Sequence, residues 1–128
     1  MHDLKLPHDH GQAAKHTMEH MPQAEEFQMT AEVFKLLGDC SRIRIFWLLC
    51  HCEECVINIS AMVQMSAPAV SHHLKLLRAN GLITSRREGK EVYYKAVSTP
   101  LAQQLHNMIK QTVQITCPDT CIQKEGSV

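Results

Sequence analysis

The chain has 128 residues, 45% of them hydrophobic, and its 13 Lys and Arg balance 13 Asp and Glu at a formal net charge of zero. This length suits one domain with a modest core, and the balanced charge excludes recognition of nucleic acid through overall charge. Because no segment resembles a bilayer span or the apolar core of a signal peptide, we expect a cytoplasmic protein without a membrane partner, whose six cysteines are reduced.

The first 22 residues are rich in histidine and poor in apolar side chains, which predicts a flexible tail over 1–22. Two interpretations stay open. Histidine-rich segments bind transition metals through neutral imidazoles, whereas a polar tail of this kind also occurs without any specific contact. The best-spaced pairs are His8 with His10 and His16 with His20.

Two helices are predicted next. The first runs from Gln23 to Leu37 and stops at Gly38. Its apolar stripe, typical of a buried face, consists of Ala24, Phe27, Ala31 and Phe34. The second helix covers 40–50, and Asp39 is a suitable N-cap because its carboxylate accepts from early backbone N–H groups.

The stretch 50–58, Cys-His-Cys-Glu-Glu-Cys-Val-Ile-Asn, contains a C-x-C-x-x-C motif between two predicted helices. We expect a turn that brings Cys50, Cys52 and Cys55 together, and thiolates favour soft ions such as Cd(II), Pb(II), Zn(II), Cu(I) and As(III). His51, Glu53 and Glu54 are candidates for further, borderline ligands. Cys50 equally fits the role of a small buried helix residue, whereas we expect reactivity or ligation rather than burial for Cys52 and Cys55.

A short helix over 57–63 and the connection 64–65 lead into the stretch 66–81, which predicts a helix with a buried back and a basic front. Ser66 is its expected N-cap, Pro68 fits the first turn, and Gly81 is suited to the left-handed position after the helix. Val70, Leu74 and Leu77 form the apolar stripe, and Ser71, His72, Lys75 and Arg78 point away from it.

Two β-type segments, 82–88 and 90–97, flank Gly89 and predict a hairpin. The order helix, turn, helix, hairpin is typical of a winged helix-turn-helix, whose second helix lies in the DNA major groove. From residue 72 to 95 there are six Lys and Arg but only two Glu, a local basic surface on a neutral chain. At the hairpin tip, Arg86, Arg87 and Lys90 suit phosphate or minor-groove contacts.

A last helix is predicted from about residue 98 to 113. Its apolar face consists of Leu101, Leu105, Met108, Ile109 and Thr112. His106 is expected to be an isolated surface residue. Cys117 and Cys121 follow on a short tail, where a C-x-x-x-C pair either completes an ion site or carries free thiols.

The segments LLGDCSRIRIFWLL and VSHHLKLLRANGLITSRREGKEVYYKA resemble the ArsR–SmtB family of metalloregulatory repressors, and the likeness extends over about 24–113. The resemblance implies a homodimer that represses transcription until a metal or metalloid ion binds and releases it. It also implies that the first long helix packs with the last helix in the dimer interface, and that Arg42 and Arg44 approach the DNA backbone or pair within the chain.

The metal site implied by the resemblance matches only in part. Relatives that sense thiophilic ions often have E-L-C-V-C-D where this chain has Glu-Glu-Cys-Val-Ile-Asn at 53–58. Cys55 keeps the first cysteine of that motif, and Cys50 and Cys52 could restore the ligand count from upstream. Zinc-sensing relatives carry carboxylates and histidines on the last helix. The corresponding positions here are Ser98, Pro100, Gln111 and Gln114, so that zinc site is expected to be absent.

We therefore predict an α+β, mostly α, homodimeric winged helix-turn-helix with five or six helices and one β-hairpin. Its parts are the tail 1–22, a DNA-binding and dimerisation domain 23–116 and a cysteine-containing tail 117–128.

The predicted function is repression at an operator inverted repeat in double-stranded DNA, relieved by a thiophilic ion such as Cd, Pb, Zn or As(III). The predicted DNA-binding residues are Ser66, Ser71, His72, Lys75, Arg86, Arg87 and Lys90. The predicted ion ligands are Cys50, Cys52, Cys55, Cys117 and Cys121.

Two alternatives remain: a repressor of the same fold that senses oxidant or persulfide through its thiols, and a metal-buffering protein. No spacing of nucleophile, base and orienting group indicates an enzyme.

Overall fold

The computed structural model describes residues 5–117. The chain consists of two compact units, and the boundary between them along the sequence lies between Val33 and Phe34. In chain order the elements are α1 (Gln12–His20), α2 (Ala24–Leu36), α3 (Cys40–His51), β1 (Glu54–Cys55), α4 (Val56–Val63), α5 (Ala67–Ala79), β2 (Ile83–Glu88), β3 (Glu91–Ala96) and α6 (Pro100–Thr116). None of the helices in the described range is long and apolar enough to cross a membrane.

The first unit holds α1 and most of α2. α1 occupies part of the segment for which the sequence predicts a flexible tail, but it buries no residue. Its His16 and His20 rings stack at a centroid distance of 4.1 Å, and Nδ1 of His20 lies 2.8 Å from the carbonyl oxygen of His16. All side chains of α1 are therefore at least partly accessible to solvent. The prediction that residues 1–22 form a separate tail stays a prediction.

The second unit contains the hydrophobic core, which is built where α3, α4, α5 and β2 meet. Its largest fully buried side chains are Phe46, Ile45, Ile59, Leu74, Leu77, Leu82 and Val70. Val70, Leu74 and Leu77, the apolar stripe predicted for the stretch 66–81, are all among them. Residues spaced i, i+4 and i+7 share one face of a helix. Burial of this stripe orients α5 and leaves its opposite face in solvent.

Helix α4 and helix α5 are joined by a sharp turn at Gln64. This residue adopts left-handed backbone angles, φ 56° and ψ 50°, although it is not glycine. The Met65 N–H donates to the Ser60 carbonyl at 3.1 Å and closes the turn. The helix-turn-helix predicted from the sequence is thus confirmed, and its turn is held in a conformation that L-residues rarely adopt.

The sheet has three antiparallel strands in the order β1-β3-β2. β2 and β3 form the predicted hairpin, with Glu88 opposite Glu91 next to the turn and Gly89 at φ 63°. The prediction of a single hairpin was incomplete, because Glu54 and Cys55 add a third strand opposite Tyr94 and Tyr93. A strand of two residues has no detectable alternation in the sequence, which is why the pattern did not predict it.

Helix α6 extends three residues beyond its predicted end at 113, and Thr99 caps its start by accepting from the Ala102 N–H. Leu105, predicted as an interface residue, is only 3% exposed and belongs to the core of its own chain. Its neighbours Leu101 and Met108 are 45% and 37% exposed. The apolar face of α6 therefore has a part buried within the chain and a part open to solvent.

Candidate nucleic-acid interface and cysteine turn

The start of the recognition helix α5 is fixed by Ser66, whose hydroxyl accepts from the Ala69 N–H at 3.3 Å. Ser66 remains exposed, as do the three predicted base-contacting residues Ser71, His72 and Lys75. Because the buried stripe holds the other face, these side chains project together from one exposed side. The structure thus brings the predicted front of α5 together on one solvent-facing surface.

An open cleft of about 480 Å³ lies between α5 and the sheet. Its lining consists of Ser71, Leu74, Lys75, Arg78, Ala79 and Tyr94. Two cationic side chains and two hydroxyl-bearing side chains in one open cleft suit an anionic group such as a phosphate of a nucleic-acid backbone. Arg78, predicted to lie on the basic front of the helix, thus joins the candidate interface.

At the wing, formed by β2, the turn 89–90 and β3, Arg86 does not extend freely into solvent. Its Nε and Nη2 donate to the two carboxylate oxygens of Glu53 at 2.9 Å and 2.8 Å, and its Nη1 donates to Glu88. The guanidinium also lies 5.0 Å from the ring centroid of Tyr93. The hydrogen bonds to Glu53 and Glu88 raise the pKa of Arg86, and the hydrogen bond from Arg86 lowers the pKa of the Glu53 carboxyl.

Arg87 and Lys90 differ from Arg86 in their surroundings. Both are exposed, and within residues 5–117 the ion pairs all involve Arg86. Charged side chains that are not engaged by carboxylates can contact phosphates at a smaller desolvation cost. Of the three predicted wing cations, Arg87 and Lys90 are therefore available for DNA in this conformation.

Arg42, one of two basic residues implied by the family resemblance to approach DNA, is engaged inside its own chain. Its Nε donates to the Leu36 carbonyl at 2.6 Å, and Nη1 lies 3.4 Å from Nδ1 of His73. Burial lowers the pKa of His73, and the backbone hydrogen bond from Arg42 lowers the pKa of Asp39. Arg42 therefore stabilises the junction of α2, α3 and α5, whereas Arg44 is exposed.

The cysteine turn is the segment from Cys50 to Cys55, which comprises the end of α3, the connection 52–53 and the strand β1. Cys50 is half-buried, and burial raises the pKa of its thiol to about 11. Cys52 is exposed; its Sγ donates to the Leu48 carbonyl at 3.5 Å, and burial and then Glu54 raise its pKa. Cys55 is 8% exposed, so our expectation that this residue would not be buried is wrong.

The three sulfurs are not assembled into a ligand set in this conformation. In the described range, no group of three or more His, Cys, Asp and Glu side chains is arranged to hold a metal ion. Glu54 is used structurally, since it accepts from the Cys55 backbone N–H and from the Asn58 side chain. Cys117 is an exposed free thiol at the end of α6, and the predicted ligand Cys121 lies outside the described residues.

His51 and His106 form a contact that no sequence pattern predicted. Their Nε2 atoms lie 3.0 Å apart, joining the end of α3 to the middle of α6, so the expectation that His106 is isolated is wrong. The Trp47 ring packs on His51 at a centroid distance of 4.2 Å. Burial, His106 and Lys110 lower the pKa of His51. The two histidines are 55 positions apart, and no local pattern links them.

Comparison with known proteins gives a consistent result. The sequence model described as "Bacterial regulatory protein, arsR family" matches residues 39–85. A transcriptional repressor SmtB homolog of Synechocystis is 41% identical over 70 residues, which are 55% of this chain and 53% of that protein. The arsenic resistance transcriptional regulator ArsR2 of Pseudomonas putida is 37% identical over 84 residues, 65% of this chain and 72% of that protein. The chain spans about half the length of several curated relatives.

Solved structures agree with the sequence matches. Reduced HlyU from Vibrio cholerae superposes with a TM-score of 0.61 at 27% identity, covering 73% of this chain and 94% of that one. A homodimeric winged helix-turn-helix DNA-binding domain from Mycobacterium bovis, solved in solution, gives a TM-score of 0.63 at 26% identity, covering 73% and 86%. The predicted fold class, a mostly α winged helix-turn-helix, is thereby confirmed.

Proposed function

This chain belongs to the ArsR family of bacterial regulatory proteins, and we propose that it is a homodimeric transcriptional repressor that a thiophilic metal or metalloid ion releases from its operator. The observation that carries the proposal is the joining of two surfaces within one compact unit. A helix with an exposed polar front and a basic wing is connected, through the contact of Arg86 with Glu53, to a segment that contains three cysteines.

The DNA-binding part of the proposal rests on exposure and charge. Ser71, His72 and Lys75 face solvent on α5 and are the proposed base-edge contacts in the major groove. Ser66 caps the helix and can also donate its hydroxyl proton to a phosphate. Arg87 and Lys90 supply backbone contacts from the wing, which increase affinity without reading sequence.

A dimer is supported by the solvent-exposed apolar side chains of α6. Leu101 and Met108 are 45% and 37% exposed on the same side of the helix, and Ile115 is 78% exposed. Covering such a surface with a second copy is favourable at roughly 25 cal/mol for each Å² of apolar area removed from water. A two-fold dimer would then read an inverted repeat whose half-sites are about one helical turn, 10 base pairs, apart.

The proposed ion ligands are Cys52 and Cys55, with Cys50, Cys117 or Cys121 as a third. Thiolate sulfurs fit soft ions such as Cd(II), Pb(II), Zn(II) and As(III). Cys55 is buried in a strand of only two residues at the edge of the sheet. So short a strand is held by few ladder hydrogen bonds, each worth about 0.5–1.5 kcal/mol net, and ion binding must offset these and the burial of Cys55 to draw it toward Cys52.

The same movement would act on the wing. Glu53 lies between Cys52 and Cys55, and its carboxylate holds Arg86 through two hydrogen bonds. If the cysteine turn contracts around an ion, Glu53 moves with it, and Arg86 and the hairpin lose a fixed partner. Ion binding and operator binding are therefore linked through this residue pair, in addition to the pairing of β1 with β3, and linkage of this kind is typically about 1–3 kcal/mol.

A thiol switch that responds to oxidant or persulfide is the alternative, and Cys50 and Cys52 are not thiols activated by a lowered pKa. Reaction with an oxidant requires a thiolate, whereas burial raises the pKa of both Cys50 and Cys52. A raised thiol pKa also opposes ion binding, because the ion must displace the proton, so the two functions are separated by the measured response to Cd(II) and to oxidant. A metal buffer, the second alternative, has no use for an exposed recognition helix and wing.

The ion-binding step can be tested by anaerobic titration of the reduced protein with Cd(II), monitored by sulfur-to-metal charge-transfer absorbance in the near ultraviolet. We expect one saturable band that Cys52→Ser and Cys55→Ser each remove. Cys40→Ser is the matched control, since Cys40 is an exposed thiol outside the cysteine turn and its removal should leave the band unchanged. A band that survives in both Cys52→Ser and Cys55→Ser would contradict the proposed ligands.

A further inference from the structure

The contact between His51 and His106 has the geometry of two ligands that share one metal ion. Their Nε2 atoms are 3.0 Å apart, whereas the ring centroids are 4.9 Å apart, so the nitrogen edges of the rings face each other. In a tetrahedral site with Zn–N bonds of about 2.05 Å, two ligand nitrogens lie roughly 3.3 Å apart. A change of a few tenths of an ångström therefore converts the hydrogen-bonded pair into a chelating pair.

We propose that His51 and His106 form a binding site for a borderline divalent ion such as Zn(II) or Ni(II), separate from the cysteines and joining α3 to α6. Imidazole nitrogens are preferred by these ions, and solvent water completes the coordination. No net proton need be released from the neutral pair. The imidazole that donates its Nε2 proton in the free protein changes tautomer, so that both rings carry the proton on Nδ1 and offer Nε2 to the ion.

Two surrounding residues bear on this assignment. Trp47 packs on the His51 ring and restricts its rotation, which reduces the entropy lost when an ion fixes the ring. Lys110 is the opposing influence, because the positive charge of its ammonium group acts at His51 and would repel a bound cation. Trp47 therefore favours ion binding by fixing the His51 ring, whereas the charge of Lys110 weakens it and can be removed by substitution.

The alternatives are a hydrogen bond without metal affinity and binding at another histidine pair, such as His16 with His20 on α1. That pair lies one helical turn apart on α1, and its rings stack face to face at an interplanar angle of 13°. Nδ1 of His20 lies against a backbone carbonyl, so only Nε2 of that ring remains for an ion. The two pairs are distinguishable because each histidine gives its own imidazole signals.

The direct test is titration of the reduced full chain with ZnCl2, monitored by two-bond ¹H–¹⁵N correlation of the imidazole rings. We expect the Nε2 signals of His51 and His106 to move together, with one apparent affinity. His51→Gln should remove the response of His106, and His106→Gln that of His51, while the double variant His16→Gln/His20→Gln should leave both intact. Movement of other histidine or cysteine signals without these two would overturn the proposal.

A second measurement uses Trp47, the only tryptophan in the chain. Bound Ni(II) quenches a nearby indole, so titration with NiCl2 should quench Trp47 fluorescence in Cys52→Ser/Cys55→Ser as it does in wild type. His106→Gln should raise the half-quenching concentration at least tenfold, and Lys110→Gln should lower it. Equal quenching curves for wild type and His106→Gln would overturn the proposal, even if the cysteine site proved correct.

Discussion

The guanidinium of Arg86 and the carboxylate of Glu53 form a two-point hydrogen bond between the wing and the cysteine turn, at 2.9 Å and 2.8 Å. The residues are 33 positions apart, and the same guanidinium is shared with Glu88 on its own strand. Because of these ion pairs, Arg86 is not available for a phosphate in this conformation, unlike Arg87 and Lys90. The two-point hydrogen bond also gives the cysteine turn a direct mechanical connection to the hairpin.

Removal of the Glu53 carboxylate should uncouple the two surfaces. We expect Glu53→Gln to retain the Cd(II) absorbance band, because the thiols are unchanged, while the ratio of operator dissociation constants with and without Cd(II) falls toward one. Glu88→Gln is the matched control, since it removes the other carboxylate partner of Arg86 but lies outside the cysteine turn. Fluorescence anisotropy of labelled operator measures the dissociation constants with and without Cd(II) for each variant. If their ratio were the same in Glu53→Gln as in wild type, the proposed connection between Glu53 and Arg86 would be refuted.

The wing cations should differ in their contribution to salt dependence. Arg87→Ala should reduce the slope of log K against log salt by about 0.9 per protomer, the value for one phosphate interaction. Arg86→Ala should change the slope by less than half as much, because Glu53 and Glu88 already neutralise its charge. Operator binding measured from about 50 to 200 mM salt covers the range in which such slopes are resolved. Equal slope changes in the two variants would show that Arg86 leaves its partners when DNA binds.

Base recognition should depend on the front of α5. We expect Ser71→Ala and His72→Ala each to reduce the preference for operator over random DNA by about 1–3 kcal/mol, the value of one base-edge interaction, with little change in the salt slope. Competition binding with the two DNAs measures this preference. If the affinity for random DNA fell as much as the affinity for operator, the two side chains would be acting on the DNA backbone instead.

Dimerisation should depend on exposed residues of α6 rather than on Leu105. Met108→Glu and Leu101→Glu should each weaken the dimer by about 2 kcal/mol or more, because a carboxylate in an apolar interface lacks a partner. Gln103→Glu is the control, since two positions along a helix place it about 160° from Leu101. Sedimentation velocity across micromolar concentrations measures the monomer fraction; a wild-type monomer throughout that range would rule out this interface.

Leu105→Ala should act on folding instead. Because Leu105 is 3% exposed inside its own chain, truncation should lower the free energy of unfolding by about 2–5 kcal/mol. Urea denaturation at fixed protein concentration gives this value. A decrease below about 1 kcal/mol, well under the range for a buried leucine, would contradict the burial of Leu105 in the core of its own chain.

Local sequence patterns were sufficient to predict α5, its cap at Ser66 and the hairpin turn at Gly89, because each is set by residues within a few positions. The long-range contacts on which the two proposals rest were not predictable in this way. Glu53 meets Arg86 across 33 positions, and His51 meets His106 across 55. Nothing in the spacing of charged or imidazole side chains along the chain specifies which distant partner the fold will bring near.

The cysteines illustrate the same limit. The C-x-C-x-x-C spacing predicted a turn that brings three sulfurs together, but it could not indicate that Cys55 lies in a two-residue strand opposite Tyr93 and is buried. Local spacing fixes how far apart two sulfurs can be, whereas packing against a distant strand determines which of them faces solvent.

The central claim is tested most directly by the operator affinity of the reduced protein with and without one equivalent of Cd(II), measured by fluorescence anisotropy. For wild type and for Cys40→Ser we predict that adding the ion weakens affinity by about 5- to 150-fold. Cys55→Ser should bind operator as tightly as wild type but keep its affinity in Cd(II). If Cys55→Ser were released by Cd(II) as wild type is, the cysteine turn would not be the sensor; if it instead lost a response to peroxide or polysulfide, the thiol switch would replace the metal site.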